Sequence, residues 1–248
     1  MSDYTTSTYG DRIAEVYDDI HPSTADAEAA VATLAELAAG GPVLELAIGT
    51  GRLALPLAAR GLPVRGIDAS EAMVAHLRAK PGGDAIDVTI GDFADVAVDG
   101  RFALVFVAFN TLFALPTQDD QVRCFANVAS HLADDGVFVV EAFVPDLTLY
   151  DGGQRVSAMH VGTDSVRLDA ARLDPTEQRV TATHVVLSAD GARLYPVRLR
   201  YAWPAELDLM ARLAGLRLRH RWADWERRGF DATSVRHVSV YGVSLHGM

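Results

Sequence analysis

The sequence predicts a doubly wound α/β fold: a mostly parallel, Rossmann-like sheet covered by helices, followed by an antiparallel β-rich elaboration. Three observations carry this. Short runs that are apolar throughout alternate with helical stretches from residue 43 to residue 144, as parallel strands buried on both faces do. A strand, a glycine turn and a helix open that series in VLELAIGTGRLALPLA. After about residue 150 several segments alternate polar and apolar residues between turn signals, the pattern of half-exposed antiparallel strands.

Taken in order, residues 9–22 mix aromatic and acidic side chains (YGDRIAEVYDDIHP) and read as a helix packing Ile13, Val16, Tyr17 and Ile20 on the core. Ser23 and Thr24 can cap a helix to about Ala39, which Gly40-Gly41-Pro42 stops. Val43–Ile48 is a strand candidate, and the helix after Gly51 runs to just before Gly61, with Pro56 early enough to be tolerated. Pro63–Ile67 reads as a strand, and Ser70 caps a helix to about Lys80. Ile86–Ile90, Phe102–Phe109 and Gly136–Val144 are further strands, the last two separated by a helix over Thr117–Leu132. The segments RVSAMHV, SVRLDAARL, QRVTATHVVL and ARLYPVRLRYAW are β-rich and divided by Asp174-Pro175 and Asp190-Gly191. A helix over Pro204–Ala214 and strands at 216–222 and 235–244 complete the chain. Two units result: a core over 1–150, and over 151–248 an extension that also returns the last strands to the sheet.

Half the 248 residues are hydrophobic and 22% are charged, enough to bury a sizeable core. No apolar run approaches the roughly 20 residues that span a bilayer, and the polar N-terminus lacks a signal-peptide pattern. A single cysteine, Cys124, excludes an internal disulfide and a cysteine zinc site, and fits a reducing cytoplasm. No metal is expected, because no pair of ligand residues has a convincing spacing. The net charge of −11 disfavours a nucleic-acid partner, whose phosphates would be repelled. That charge is uneven, −14 over 1–150 and +3 over 151–248. The mildly basic second part suits an acidic ligand, or simply reflects arginines on exposed strands.

The chemistry is written at the first strand. Its end feeds a helix through a glycine turn, so backbone N–H groups face a ligand, and Gly49 and Gly51 let the chain turn tightly beside it. Asp68, 17 residues after Gly51 at the end of the next strand, can accept hydrogen bonds from both hydroxyls of a ribose. Two departures separate this from a dinucleotide fingerprint. Glu45 lies in the strand end, and the spacing Ala47-x-Gly49-x-Gly51 replaces Gly-x-Gly-x-x-Gly. A carboxylate there repels a pyrophosphate but suits the ammonium of a methionine moiety or its bound water. A nicotinamide nucleotide is the competing ligand.

In these motifs the chain resembles the class I S-adenosylmethionine (SAM)-dependent methyltransferases. The match runs in order from Val43 to Val144: ELAIGTG, GIDAS, IGDF and FVAFNTL. The resemblance implies SAM as cofactor, with Asp68 on the ribose, Asp92 on the adenine amino group and the Phe93 backbone on a ring nitrogen. Ala69 and Met73 would pack near the adenine, Ala47, Gly49 and Gly51 line the methionine end, and the carbonyl of Ala108 would meet its ammonium. Ala47 replaces the commonest glycine, and Ala103 an acid frequent in the fourth-strand motif. The AEVYD segment and the β-rich second half look like bacterial small-molecule N-methyltransferases, including those acting on amino sugars. In those families an N-terminal aromatic segment closes over SAM, which would set Tyr9 and Tyr17 against the cofactor; plain packing of that helix is the other reading.

Methyl transfer from a sulfonium needs mainly alignment and exclusion of water. An amine acceptor needs a site favouring its neutral form, whereas an alcohol usually needs a general base. Tyr17, His21, Asn110 and Glu141 are the catalytic candidates: His21 is the base if oxygen is methylated, and Asn110 orients the acceptor. Glu141, costly in a strand unless paired, reads as a site residue or half of a buried ion pair. His160, Tyr201, Trp203 and Trp225 are candidates for the acceptor pocket, as is His184, although surface histidines and core aromatics are the plainer reading. The expected partner is a small-molecule acceptor, with no nucleic acid and no membrane; any assembly is expected to be a homodimer. N-, O- or C-methylation stays open at this point, as does a methyltransferase-like fold that rearranges or only binds its ligand.

Overall fold

The computed structural model describes residues 4–22 and 24–243. Ser23 and residue 244 of the last expected strand lie outside the described residues. In order, the helices are α1 (Thr8–Ile13), α2 (Tyr17–Ile20), α3 (Ala25–Ala38), α4 (Ala54–Ala59), α5 (Glu71–Arg78), α6 (Gln118–His131) and α7 (Pro204–Leu213). The strands are β1 (Val43–Leu46), β2 (Val64–Asp68), β3 (Asp87–Ile90), β4 (Phe102–Val107), β5 (Leu132–Phe143), β6 (Gln154–Val161), β7 (Ser165–Asp174), β8 (Arg179–Ser188), β9 (Gly191–Arg200), β10 (Leu216–Trp222) and β11 (Arg236–Val243).

Seven strands form one sheet in the order β10-β11-β5-β4-β1-β2-β3. β1 to β5 pair in parallel, and β11 and β10 add antiparallel at one edge. The four strands β6 to β9 form a separate antiparallel sheet between β5 and α7 in the chain. The order reverses beside β1, between β2 and β4, so the ends of β1, β2 and β4 converge on a crevice where open α/β sheets bind ligands.

Alternate side chains of the central strands enter two cores. Leu44, Leu46, Val105, Val107, Phe138 and Val140 pack against Phe125 and Val128 of α6 and Leu207 and Met210 of α7. Val43, Leu104, Phe106, Val137 and Val139 pack on the other face with Ala30, Val31 and Leu34 of α3. Every one of these is almost fully buried, and each large aliphatic or aromatic contributes about 1.5–3 kcal/mol. The second sheet joins the first core through Ala171, Val180 and Ala182.

Helix starts follow local chemistry: Thr24, Ser70 and Thr117 accept from Ala27, Met73 and Asp120 N–H groups at 3.4, 3.2 and 3.1 Å. The N-terminal segment departs from a single helix. It breaks into α1, a 3₁₀ turn over residues 14–16 and α2, and two of its exposed acids, Asp11 and Asp18, tie it to the core unit. Ser70 Oγ donates to Asp11 at 2.6 Å, and Thr50 Oγ1 and Lys80 Nζ both reach Asp18 at 2.6 Å. Gly10 permits this approach, since a Cβ there would lie 2.6 Å from Ser70 Cβ. Strand β5 begins four residues earlier than expected, directly out of α6.

Candidate active site

The turn after β1 alternates left-handed residues: φ is 57° at Ala47, 56° at Gly49 and 80° at Gly51. A Cβ at Gly51 would press on Leu77 and Leu55 at 3.0 and 3.1 Å, so position and conformation both require glycine. Ala47 holds the same conformation with a methyl group, at a cost of about 1–2 kcal/mol. The turn aims Gly49 N–H at Asp68 Oδ2 (2.7 Å), while Ser70 N–H donates to Asp68 Oδ1 (2.8 Å). Asp68 is thereby locked at the crevice with lone pairs to spare. Burial raises its carboxyl, against the pull of these N–H groups. Asp92 lies one residue beyond Gly91, whose N–H bonds the Asp68 carbonyl at 2.9 Å, and caps Ala94 N–H at 2.9 Å. Phe93 beside it is buried, and Ala69 is half-buried. Met73 packs with Ile13, Ala14 and Tyr195, and its Cε would lie 3.3 Å from a Cβ at Gly49.

Glu45 is buried within β1, and its Oε2 has no hydrogen-bond partner among the described residues. Burial pushes its carboxyl well above the ordinary range, only partly countered by Arg52. Arg52 in turn lies flat over the Phe109 ring, 3.5 Å from its centroid. Phe109 and Asn110 are consecutive left-handed residues, φ 54° and 67°, templated by β5. Phe109 N–H donates to Glu141 Oε2 (2.9 Å), Asn110 N–H to the Glu141 carbonyl (3.2 Å), and Phe143 N–H to Asn110 Oδ1 (2.6 Å). The Ala108 carbonyl accepts Thr111 N–H at 3.1 Å and keeps a second lone pair.

Beside this edge opens a cavity of about 940 Å³ between the two sheets and the N-terminal segment. Tyr9, Tyr17, His21, Arg52, Asn110 and Tyr201 are among its walls. Burial raises the Tyr9 and Tyr17 hydroxyls, so both stay protonated. His21 meets the Tyr17 ring at a tilt of 49°, centroids 4.8 Å apart; burial, then Arg52, His184 and Arg167, bring its pKa down to about 4. It is therefore neutral at physiological pH and a weak base, which counts against a general-base role.

Four expected residues sit elsewhere. Glu141 shares the parity of Val137 and Val139, so it faces α3, where Arg236 lies 3.3 Å away and is itself held by Asp26. It braces the Phe109–Asn110 turn from behind and does not line the cavity, so the ion-pair reading is the one the geometry gives. His160 is exposed: β6 bulges between Ala158 and His160, which shifts the alternation, and the ring rests over Gly162 of the hairpin turn. Trp203 is 42% exposed at the start of α7, reaching the cavity residue Tyr201 only edge-on at 6.5 Å. Trp225, in the polar loop RWADWERRGF, is buried in the α3-side core, because Asp224 gathers the loop's polar groups by accepting from Glu226 and Arg228. Conversely, the sequence reading missed Arg52, Phe109, Arg155 and Asp169. Only Asp169 carried a signal, an acid on the strand face that is otherwise apolar at Ala171 and Leu173.

A family profile described as a methyltransferase domain matches residues 43–136, the segment bearing the turn, Asp68 and Asp92. The solved structure of the CcbJ methyltransferase from Streptomyces caelestis is 45% identical, covers 97% of this chain and 99% of its own, and superposes with a TM-score of 0.91. The chain belongs to the SAM-dependent methyltransferases. This methyltransferase is also 28% identical to a cypemycin N-terminal methyltransferase of a Streptomyces species, over 87% of this chain and 89% of that protein. It is 29% identical to a dTDP-4-amino-2,3,4,6-tetradeoxy-D-glucose N,N-dimethyltransferase of Saccharopolyspora spinosa, over 76% and 78%. The methyl donor is accordingly S-adenosylmethionine, not a nicotinamide nucleotide, and the residues at the crevice fit it: Asp68 is pre-oriented for a ribose, and the orphaned Glu45 oxygen fits an ammonium. Among the described residues no helix is long and apolar enough to cross a membrane, and no group of three metal-ligating side chains occurs.

Proposed function

We propose that this methyltransferase methylates an amine nitrogen of a small molecule in the cavity between its two sheets. The carrying observation is the cavity's charge. Three arginines, Arg52, Arg155 and Arg198, line it against two acids, Asp146 and Asp169, and His21 is held neutral. An excess of cations disfavours an ammonium and so favours the free amine that attacks. The names of the two curated relatives, one acting at a peptide N-terminus and one on an amino sugar, support the same chemistry.

In this reading residues 1–150 carry the donor and 151–248 supply most of the acceptor wall. Asp68 takes the ribose hydroxyls, Asp92 and the Phe93 backbone the adenine, with Ala69 and Met73 beside it. Ala47, Gly49 and Gly51 border the methionine part, whose ammonium meets Glu45 and the Ala108 carbonyl. Bound there, the donor supplies an electrophilic methyl on a sulfonium. Tyr9 and Tyr17 cover it, while Asn110, whose Oδ1 is already used, offers only its NH₂ to the acceptor. Tyr201 walls the far end. The chain is read as cytoplasmic, since its one thiol, Cys124, is buried and unpaired. It is also read as a homodimer with no affinity for nucleic acid, which light scattering and a DNA titration test.

The deciding experiment supplies SAM with a labelled methyl to the purified protein and a panel of amino sugars, amino acids and short peptides. Label on nitrogen is the expected result. Label on oxygen alone, or none despite SAM binding, overturns the proposal.

A further inference from the structure

The inner face of the second sheet is laid down in rungs. Strands β7, β8 and β9 pair antiparallel without a break in register, so side chains two residues apart share a face. Across these three strands one rung is Leu173, Val180 and Leu199, and the next is Ala171, Ala182 and Val197, all apolar, with Arg155 of β6 opposite Ala171. The third is Asp169, His184 and Tyr195, the point where that apolar wall becomes ionisable. Both Asp169 and His184 line the cavity.

Within that rung His184 Nδ1 lies at ion-pair distance, 3.3 Å, from Asp169 Oδ1, a buried oxygen with no other partner among the described residues. Asp169 is buried and its other oxygen meets Arg155 at 2.6 Å. His184 and Arg155 together keep the Asp169 carboxyl below its usual range, so it is charged at neutral pH. With Nδ1 turned to the carboxylate, the free nitrogen of the His184 ring is Nε2. Around the ring stand Tyr9 of α1 with an edge-on contact at 6.3 Å, Tyr195 of β9 as cross-strand neighbour, and His21, which its charge influences. His21 has no carboxylate at ion-pair distance among the described residues, and Arg52 and Arg167 act on it.

We propose that His184, oriented by Asp169, takes the proton from the acceptor's ammonium before methyl transfer. This rests on the amine reading above. An amine in water at neutral pH arrives mostly as its ammonium, which has no lone pair for attack. Its N–H bond breaks, the proton passes to His184 Nε2, and the electron pair stays on nitrogen. That pair forms the bond to the methyl carbon as the carbon–sulfur bond breaks, its electrons going to sulfur. The imidazolium is held by Asp169 until it releases the proton to water. The same arrangement of an imidazole with one nitrogen on a carboxylate serves general bases elsewhere.

The test is the pH profile of kcat/KM for the best amine of the panel in wild type, His184→Gln and Asp169→Asn. General-base removal costs about 10²-fold or more, but only while the amine is protonated. Below the acceptor's own pKa, His184→Gln is therefore expected to lose about 10²-fold, and above it to converge on wild type to within about threefold. Asp169→Asn should show the same pH-dependent recovery with a smaller loss. His21→Gln should show no such recovery. Unchanged binding of S-adenosylhomocysteine and unchanged thermal unfolding establish that each variant is folded. A deficit that is constant across pH, or none at all, overturns the assignment while leaving N-methylation standing. Failure of wild type to methylate any amine overturns both.

Discussion

Asp68→Asn tests the donor site without any knowledge of the acceptor. The carboxylate serves two backbone donors at once, Gly49 N–H at 2.7 Å and Ser70 N–H at 2.8 Å. An amide has one oxygen, so its NH₂ must face one of those N–H groups and leave a buried donor unmatched. That costs about 1–3 kcal/mol, or roughly 2–12 °C in Tm at this chain length. Part is offset, because burial disfavours the charged Asp68 and the amide is neutral, so the low end is expected. Binding has no such offset. Hydrogen bonds to a charged group are worth about 1.5–3 kcal/mol, so Kd for S-adenosylhomocysteine should rise about 10- to 150-fold. Calorimetric titration and a thermal scan of the same samples give both quantities. A Kd within threefold of wild type would refute the ribose role, whatever the scan shows.

Three further outcomes follow from the same geometry. Glu141→Ala removes the acceptor of Phe109 N–H and one partner of Arg236; a loss of about 2–4 kcal/mol in chemical denaturation is expected, and a loss under 0.5 kcal/mol would contradict the bracing role. Ala47→Gly relieves a left-handed residue at φ 57° and should stabilise by about 0.5–1 kcal/mol after the entropy of glycine is subtracted; destabilisation in the same assay would count against strain at the turn. Glu45 has a carboxyl raised in the folded state, so the fold binds its proton more readily than the unfolded chain. Its contribution to the stability of the donor-free protein should therefore be greatest at low pH and fall as pH rises from the ordinary glutamate range into the raised one. Glu45→Gln should flatten that slope between pH 5 and 8, and identical slopes in the two proteins would disprove it.

The local structure of the donor half was legible because its constraints are local. A left-handed turn demands glycine at Gly51, helix caps demand Thr24 and Ser70, and the turn's own N–H groups demand an acceptor such as Asp68 at the end of β2. The caps are satisfied within a few residues of chain. The acceptor half was not, because its walls come from side chains far apart in sequence. Asp169 and His184 become neighbours only through the β7–β8 register. His160 looked equivalent to His184 until one bulged residue in β6 changed its face. Glu141 misled for the opposite reason: its cost in a strand signalled a partner, but the partner, Arg236, was 95 residues away on β11. Trp225 shows that a polar loop can carry a core side chain when one acid, Asp224, satisfies the loop's own donors.

The N-terminal segment connects these two halves. It reaches the donor side through Asp11 with Ser70 and Asp18 with Thr50 and Lys80. It reaches the acceptor side where Arg167 of β7 donates to the Ile20 carbonyl at 3.1 Å and Arg198 of β9 lies over the Tyr4 ring. None of these contacts is apolar, and the ion pair Asp18–Lys80 is partly exposed, so each is worth little alone. The packing of Ile13 and Ala14 on Met73 and Tyr195 is what fixes the segment, and that small cluster draws one residue from α5 and one from β9. A shift of α5 must therefore be felt at Met73, beside the proposed adenine position, and a shift of β9 at Tyr195, in the rung of His184. The helix that follows β2 and the wall of the second sheet thus meet in one apolar cluster under the N-terminal segment, whose buried members are Ile13, Ala14, Met73 and Tyr195.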